Sequence, residues 1–104
     1  MADRVTHRGQ SHPLYLIIKG DMVPSHTREF SELERIRKAG DVTEIDDFVG
    51  AESLFTLLPR DREIRVCGGS RWISVHAQFM ELRRLGYSVS VHEPGSYTLD
   101  YDGA

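Results

Sequence analysis

The stretch Glu63–Pro94, EIRVCGGSRWISVHAQFMELRRLGYSVSVHEP, constrains the fold of this chain more than any other. Ile64, Val66 and Cys67 make a short apolar run that stops at Gly68-Gly69. Ser70 then stands where a helix N-cap is expected, and Gly86 where the helix would end on a left-handed glycine. Between them Trp72, Val75, Phe79 and Leu82 form a helical core stripe, widened by Ile73 and Met80. Tyr87–His92 alternates apolar and polar residues, the pattern of a half-exposed or edge strand. Strand, glycines, helix and strand in this order read as a parallel β-α-β unit. Its strand-to-helix junction gathers backbone N–H groups and the positive end of a helix dipole, where α/β proteins commonly place their chemistry.

The rest of the chain extends the same alternation. Leu14–Ile18 is an unbroken apolar run of strand length, closed by Lys19-Gly20 and suited to a strand covered on both faces. A helix is expected over His26–Ala39, with Ser25 as N-cap and Gly40 after its end. Its apolar stripe is narrow (Phe30, Leu33, Ile36), and Glu29, Glu32, Glu34, Arg35, Arg37 and Lys38 should form a solvated face. Val42–Ile45 fits a short strand. Ala51, Leu54, Phe55 and Leu58 recur at helical spacing until Pro59 stops them. A further short strand is available at Tyr97–Tyr101. Residues 1–13 carry almost nothing apolar and read as a flexible leader, leaving 14–104 as a single domain. The order β-α-(β)-α-β-α-β implies a three-layer α/β/α fold. It would have a small, mainly parallel sheet and right-handed β-α-β crossovers.

Composition narrows the class. A chain of 104 residues supports one modest core. Its formal net charge of −3 argues against a generally basic nucleic-acid binder, so nucleic acid is not an expected partner. The single cysteine, Cys67, precludes an intrachain disulfide and suits a reducing cytoplasm. No apolar run approaches the roughly 20 residues of a membrane span. The five histidines show no shared metal-ligand spacing, and neither a metal nor a cofactor is expected.

Three constellations could carry chemistry. Gly68-Gly69-Ser70-Arg71 either cradles an anion, as in a nucleotide- or phosphate-binding module, or is simply a tight turn; it lacks the third glycine of a dinucleotide fingerprint. Ser74, in the first helical turn, falls on the polar arc with Gln78 and Glu81, opposite Trp72 and Phe79. It is either a surface serine or a nucleophile in need of a base. His76 projects into the apolar arc between Trp72 and Phe79, as a satisfied, partly buried histidine or a ligand-binding one. Lys19-Gly20 and Gly68-Gly69 both fall at strand carboxyl ends, the edge on which open parallel sheets bind ligands.

Several of these pieces together resemble the isochorismatase-like cysteine hydrolases, which include nicotinamidases. Leu16–Gly20 resembles that family's apolar strand ending in a catalytic Lys-Gly. Ser25–Phe30 is similar to its Glu-His-Tyr-Ser-Ala-Phe segment at His26 and Phe30. Arg65–Val75 resembles the strand–glycine–helix element that carries the nucleophile, and Leu82, Gly86, Tyr87, Val89 and Val91 fit the exit into the next strand. The likeness covers about residues 14–94. It implies catalytic roles for Lys19 and, at the nucleophile position, Ser74. That position holds cysteine in the family, and a serine hydroxyl is scarcely ionised at neutral pH. Cys67 lies back in the strand and cannot replace it. The family's aspartate belongs to a strand upstream of the lysine, where only Asp3 precedes Lys19 here.

The expectation is therefore a cytoplasmic, truncated and catalytically degenerate relative, a pseudoenzyme that binds a small molecule or a protein partner. The alternatives are a phosphate- or nucleotide-binding module using Gly68, Gly69, Ser70 and Arg71, or an active hydrolase completed in a homodimer through the Tyr87–His92 edge strand.

Overall fold

The computed structural model describes residues 12–20 and 23–98. Four strands and three helices alternate along them. They are β1 (Leu14–Ile18), α1 (Arg28–Ala39), β2 (Val42–Ile45), α2 (Ala51–Leu57), β3 (Ile64–Gly69), α3 (His76–Arg84) and β4 (Val89–Tyr97). A π-helical turn, Arg71–Val75, leads into α3. All strand pairs are parallel, in the order β2-β1-β3-β4, which makes this a small α/β fold. Most of the expected leader, and the segment after Thr98 on which a last strand was expected, lie outside the described residues. Tyr97 itself ends β4.

The sheet is covered on both faces. On one, Leu14, Leu16, Ile18, Ile45, Ile64 and Val66 pack against Leu54 and Leu58 around α2 and against Val75, Leu82 and Tyr87 around α3. On the other, Ile17 and Cys67 pack against Leu33 and Ile36 of α1. This division follows from the strand order. The step from β1 to β2 runs one way along the sheet, while those from β2 to β3 and β3 to β4 run the other. Crossovers of a single hand must then put α1 on the face opposite α2 and α3.

Local signals place most element ends. Gly40 closes α1 in the left-handed region (φ 92°), its N–H reaching Arg37 O at 3.2 Å and Ile36 O at 3.3 Å. The N-cap is Thr27 and not the expected Ser25. Thr27 Oγ1 accepts from Phe30 N (3.2 Å) and donates to Pro24 O (2.7 Å). Thr27 N also reaches Pro24 O, so Ser25 and His26 are used up in a turn before the helix begins. Tyr87 likewise precedes β4 rather than starting it, buried with its hydroxyl on Leu58 O (3.0 Å) and Leu54 O (3.3 Å) at the end of α2.

The largest correction concerns the third helix. Val75 N donates to Ser70 O at 2.9 Å, five residues back, so the first turn is wider than an α-turn. The extra residue rotates everything behind it relative to α-helical spacing. Trp72 and Ile73 are consequently 63% and 70% exposed instead of lying in the core, and Met80 is also exposed. The buried positions are Val75, Gln78 and Leu82, with Phe79 half-buried. His76, expected in the apolar arc, is exposed, its ring tilted against Phe79 at 6.3 Å between centroids. Glu32 also leaves the solvated face of α1. It sits against the edge strand, 2.6 Å from His92 Nε2, with Arg35 Nη2 on the same carboxylate at 2.6 Å.

Candidate functional site

Chain direction along the sheet reverses between β1 and β3, because α1 leaves β1 over one face and α3 leaves β3 over the other. Such a switch point opens a crevice outside the strand carboxyl ends. Lys19-Gly20 follows β1 there, and Gly68-Gly69-Ser70 ends β3. Lys19 N is held on Ile45 O (2.8 Å), which brings the segment after β2 to the same edge. Three segments converge on Gly20. A Cβ at that position would lie 3.3 Å from Asp46 O, 3.4 Å from Gly69 O and 3.5 Å from Asp47 Oδ1.

The side chains at this edge form two polar pairs. Ser74 Oγ donates to Asp47 Oδ1 at 3.1 Å, and the Phe48 N–H donates to the same oxygen at 2.7 Å. Lys19 Nζ lies 3.5 Å from Asp46 Oδ1, with Asp46 95% exposed. Both pairs are therefore open to water, where a hydroxyl–carboxylate contact orients the serine without ionising it. The segment that supplies the two aspartates is anchored from below. Gln78, fully buried, accepts from Val49 N (2.9 Å) and donates from Nε2 to Val49 O (3.0 Å). Ser74 and Gln78 belong to one continuous helical segment, so the same element positions both sides of the Ser74–Asp47 contact.

Sequence reasoning finds Lys19 and Ser74 but not Asp46, Asp47 or Gln78. The carboxylates follow a four-residue strand whose place beside β1 is a property of the sheet order. Gln78 looks polar and surface-like until the π-turn rotates it inward.

The glycine junction has a packing explanation. Gly68 takes φ 108°, and a Cβ there would overlap Ile18 O and lie 2.8 Å from Ile18 N, so close approach of β1 requires glycine. Gly69 and Ser70 are buried, and the peptide between them is cis. Arg71 is turned to Glu93 on β4 as an ion pair, and its guanidinium stacks on Trp72 at 4.6 Å. Cys67, on β3 beside Ile17, is buried beneath Leu33 and Ile36 of α1. Burial foremost, with Glu32 adding to it, pushes its thiol up to about 12.

On the α1 side of the crevice an apolar cavity of about 220 Å³ is lined by Ile17, Ile18, Val23, Phe30 and Leu33, with Lys19 and Arg37 as its cationic members. Among the described residues no group of three or more His, Cys, Asp or Glu side chains is placed to hold a metal ion. No helix among them is long and apolar enough to cross a membrane. Comparison with protein-family models, curated proteins and solved structures finds no match to the chain.

Proposed function

We propose that this protein is a catalytically degenerate α/β module related to the isochorismatase-like hydrolases, acting by binding a small ligand at the switch point of its sheet. The observation that carries this reading is the contrast between the two parts of the crevice. Its polar part, Ser74 with Asp47 and Lys19 with Asp46, lies open to solvent, where fixed dipoles contribute little to stabilising a transition state. Its other part is an apolar cavity walled by the core residues Ile17, Ile18 and Leu33 with half-buried Val23 and Phe30, the character of a small-molecule site. A serine at the position that the resemblance assigns to a thiolate points the same way.

Hydrolysis is the competing reading, and the 3.1 Å contact of Ser74 with Asp47 favours it by setting a carboxylate beside the serine hydroxyl. Incubation of the purified protein with nicotinamide and with isochorismate separates the two. The binding reading expects no product above the buffer control. Turnover that disappears in Ser74→Ala would overturn it and establish a serine hydrolase.

A further inference from the structure

We infer that the cavity between β1 and α1 takes a small monocarboxylate with a compact apolar body, and that Lys19 is the residue that binds its carboxylate. This deepens the binding reading and rests on it. Size sets the first limit. Sites for drug-sized ligands span about 300–1,000 Å³, whereas this cavity offers about 220 Å³, room for a single ring or a short aliphatic chain. Its walls set the second. Ile17 and Ile18 are buried core residues of β1, Leu33 is buried on α1, and Phe30 and Val23 complete an apolar surface whose polar side chains, among the described residues, are the two cations.

The two cations are not equivalent. Arg37 is held by Glu44 through Nε (2.9 Å) and Nη2 (3.1 Å) and by Glu34 through Nη1 (2.8 Å), so its donors are already directed at carboxylates. Among the described residues, Lys19 has the 3.5 Å contact with Asp46, whose side chain is 95% exposed. A solvent-exposed pair of that kind contributes little and yields to a ligand at small cost. Among the described lining residues one cation, Lys19, is available to match one negative charge, which favours a monocarboxylate over a dianionic phosphate ester.

The test titrates the full chain with hexanoate and benzoate and with their neutral counterparts, hexanol and benzamide. Binding is followed by calorimetry and by shifts of the Ile17, Ile18 and Leu33 resonances. The carboxylates should perturb those residues and bind at least about tenfold more tightly than the neutral compounds. Lys19→Met, which keeps the apolar stem on an exposed residue, should remove that difference, and Lys38→Met, at an exposed cation that does not line the cavity, should leave it intact. Equal affinity for the neutral compounds, or an unchanged preference in Lys19→Met, overturns the assignment of ligand class while the cavity remains a binding site. If neither series perturbs the lining residues, the inference and the binding reading fall together.

Discussion

The side-chain amide of Gln78 pairs with both backbone polar groups of Val49, taking its N–H at 2.9 Å and giving to its carbonyl at 3.0 Å. A glutamine here behaves as a one-residue extension of a strand, docking the loop that carries Asp46 and Asp47 onto the helix that follows Ser74. Replacing it by leucine would keep the volume and leave both backbone groups without partners. Gln78→Leu should therefore cost about 2 kcal/mol in urea unfolding. It should also loosen the Asp47 segment, seen as faster amide exchange at Phe48 and Val49.

Gly68 is the position at which β1 and β3 tolerate no side chain. Its left-handed φ of 108° and the overlap of a Cβ with Ile18 O act together. Gly68→Ala should lose about 4 kcal/mol or more, at the upper end of what single substitutions cost. Gly50 is the control. It has φ −89°, and a methyl group added there would meet nothing within 4 Å. Gly50→Ala, where loss of a favoured N-cap residue is opposed by the smaller unfolded-state entropy of alanine, should therefore change stability by less than about 1 kcal/mol. Comparable losses at both sites would refute the packing account of the glycine junction.

Glu32 ties α1 to the edge strand, and its titration gives the fold an acid dependence. The Arg35 guanidinium foremost, and His92 after it, pull its carboxyl from the ordinary 4.5 down to about 2. Because the folded-state value is depressed, the stabilisation is complete above about pH 4.5 and is lost as pH falls towards 2. The stability difference between the native protein and Glu32→Gln should accordingly be largest at neutral pH and shrink between about pH 4.5 and 2. Urea midpoints at neutral pH and at two points within that acid window would measure it. A constant difference would mean that Glu32 acts through packing alone.

The alternation of strands and helices was legible because it depends on local signals: apolar runs at Leu14–Ile18 and Ile64–Cys67, and glycines at Gly40 and Gly86 that permit a left-handed stop. Lys19 and Ser74 could be picked out for the same reason, each standing at a recognisable strand or helix end. What the chain does not display is long-range. The π-turn is defined by a hydrogen bond from Val75 to Ser70 that no residue in RWISV announces, and one extra residue moves Gln78 inward and Trp72 outward. Asp47 reaches Ser74 only because β2 lies beside β1, and sheet order is not written in a four-residue strand.

Cys67 should be chemically silent in the folded protein. Its thiol is buried beneath α1 and held up to about 12, so almost no thiolate forms at neutral pH. Reaction with a disulfide reagent at mildly alkaline pH should be slow in native buffer and prompt in denaturant, the native rate reporting opening of the α1 face. Prompt native labelling would show that α1 does not stay seated on the sheet.

Trp72 separates the α-helical and π-helical descriptions of the third helix most directly. Had the first turn been an α-turn, Trp72 would share the core stripe with Val75 and Phe79, and truncation would cost about 3–5 kcal/mol. In the π-turn the residue is 63% exposed and its ring leans on Arg71. Trp72→Ala should then cost no more than about 1 kcal/mol, chiefly the lost cation–π contact. Its fluorescence should be that of a solvated indole, red-shifted and accessible to iodide. Val75→Ala, at the end of the same turn and fully buried, should be the more damaging substitution of the two. The reverse order would place Trp72 in the core and remove the π-turn on which the positions of Gln78 and Ser74 depend.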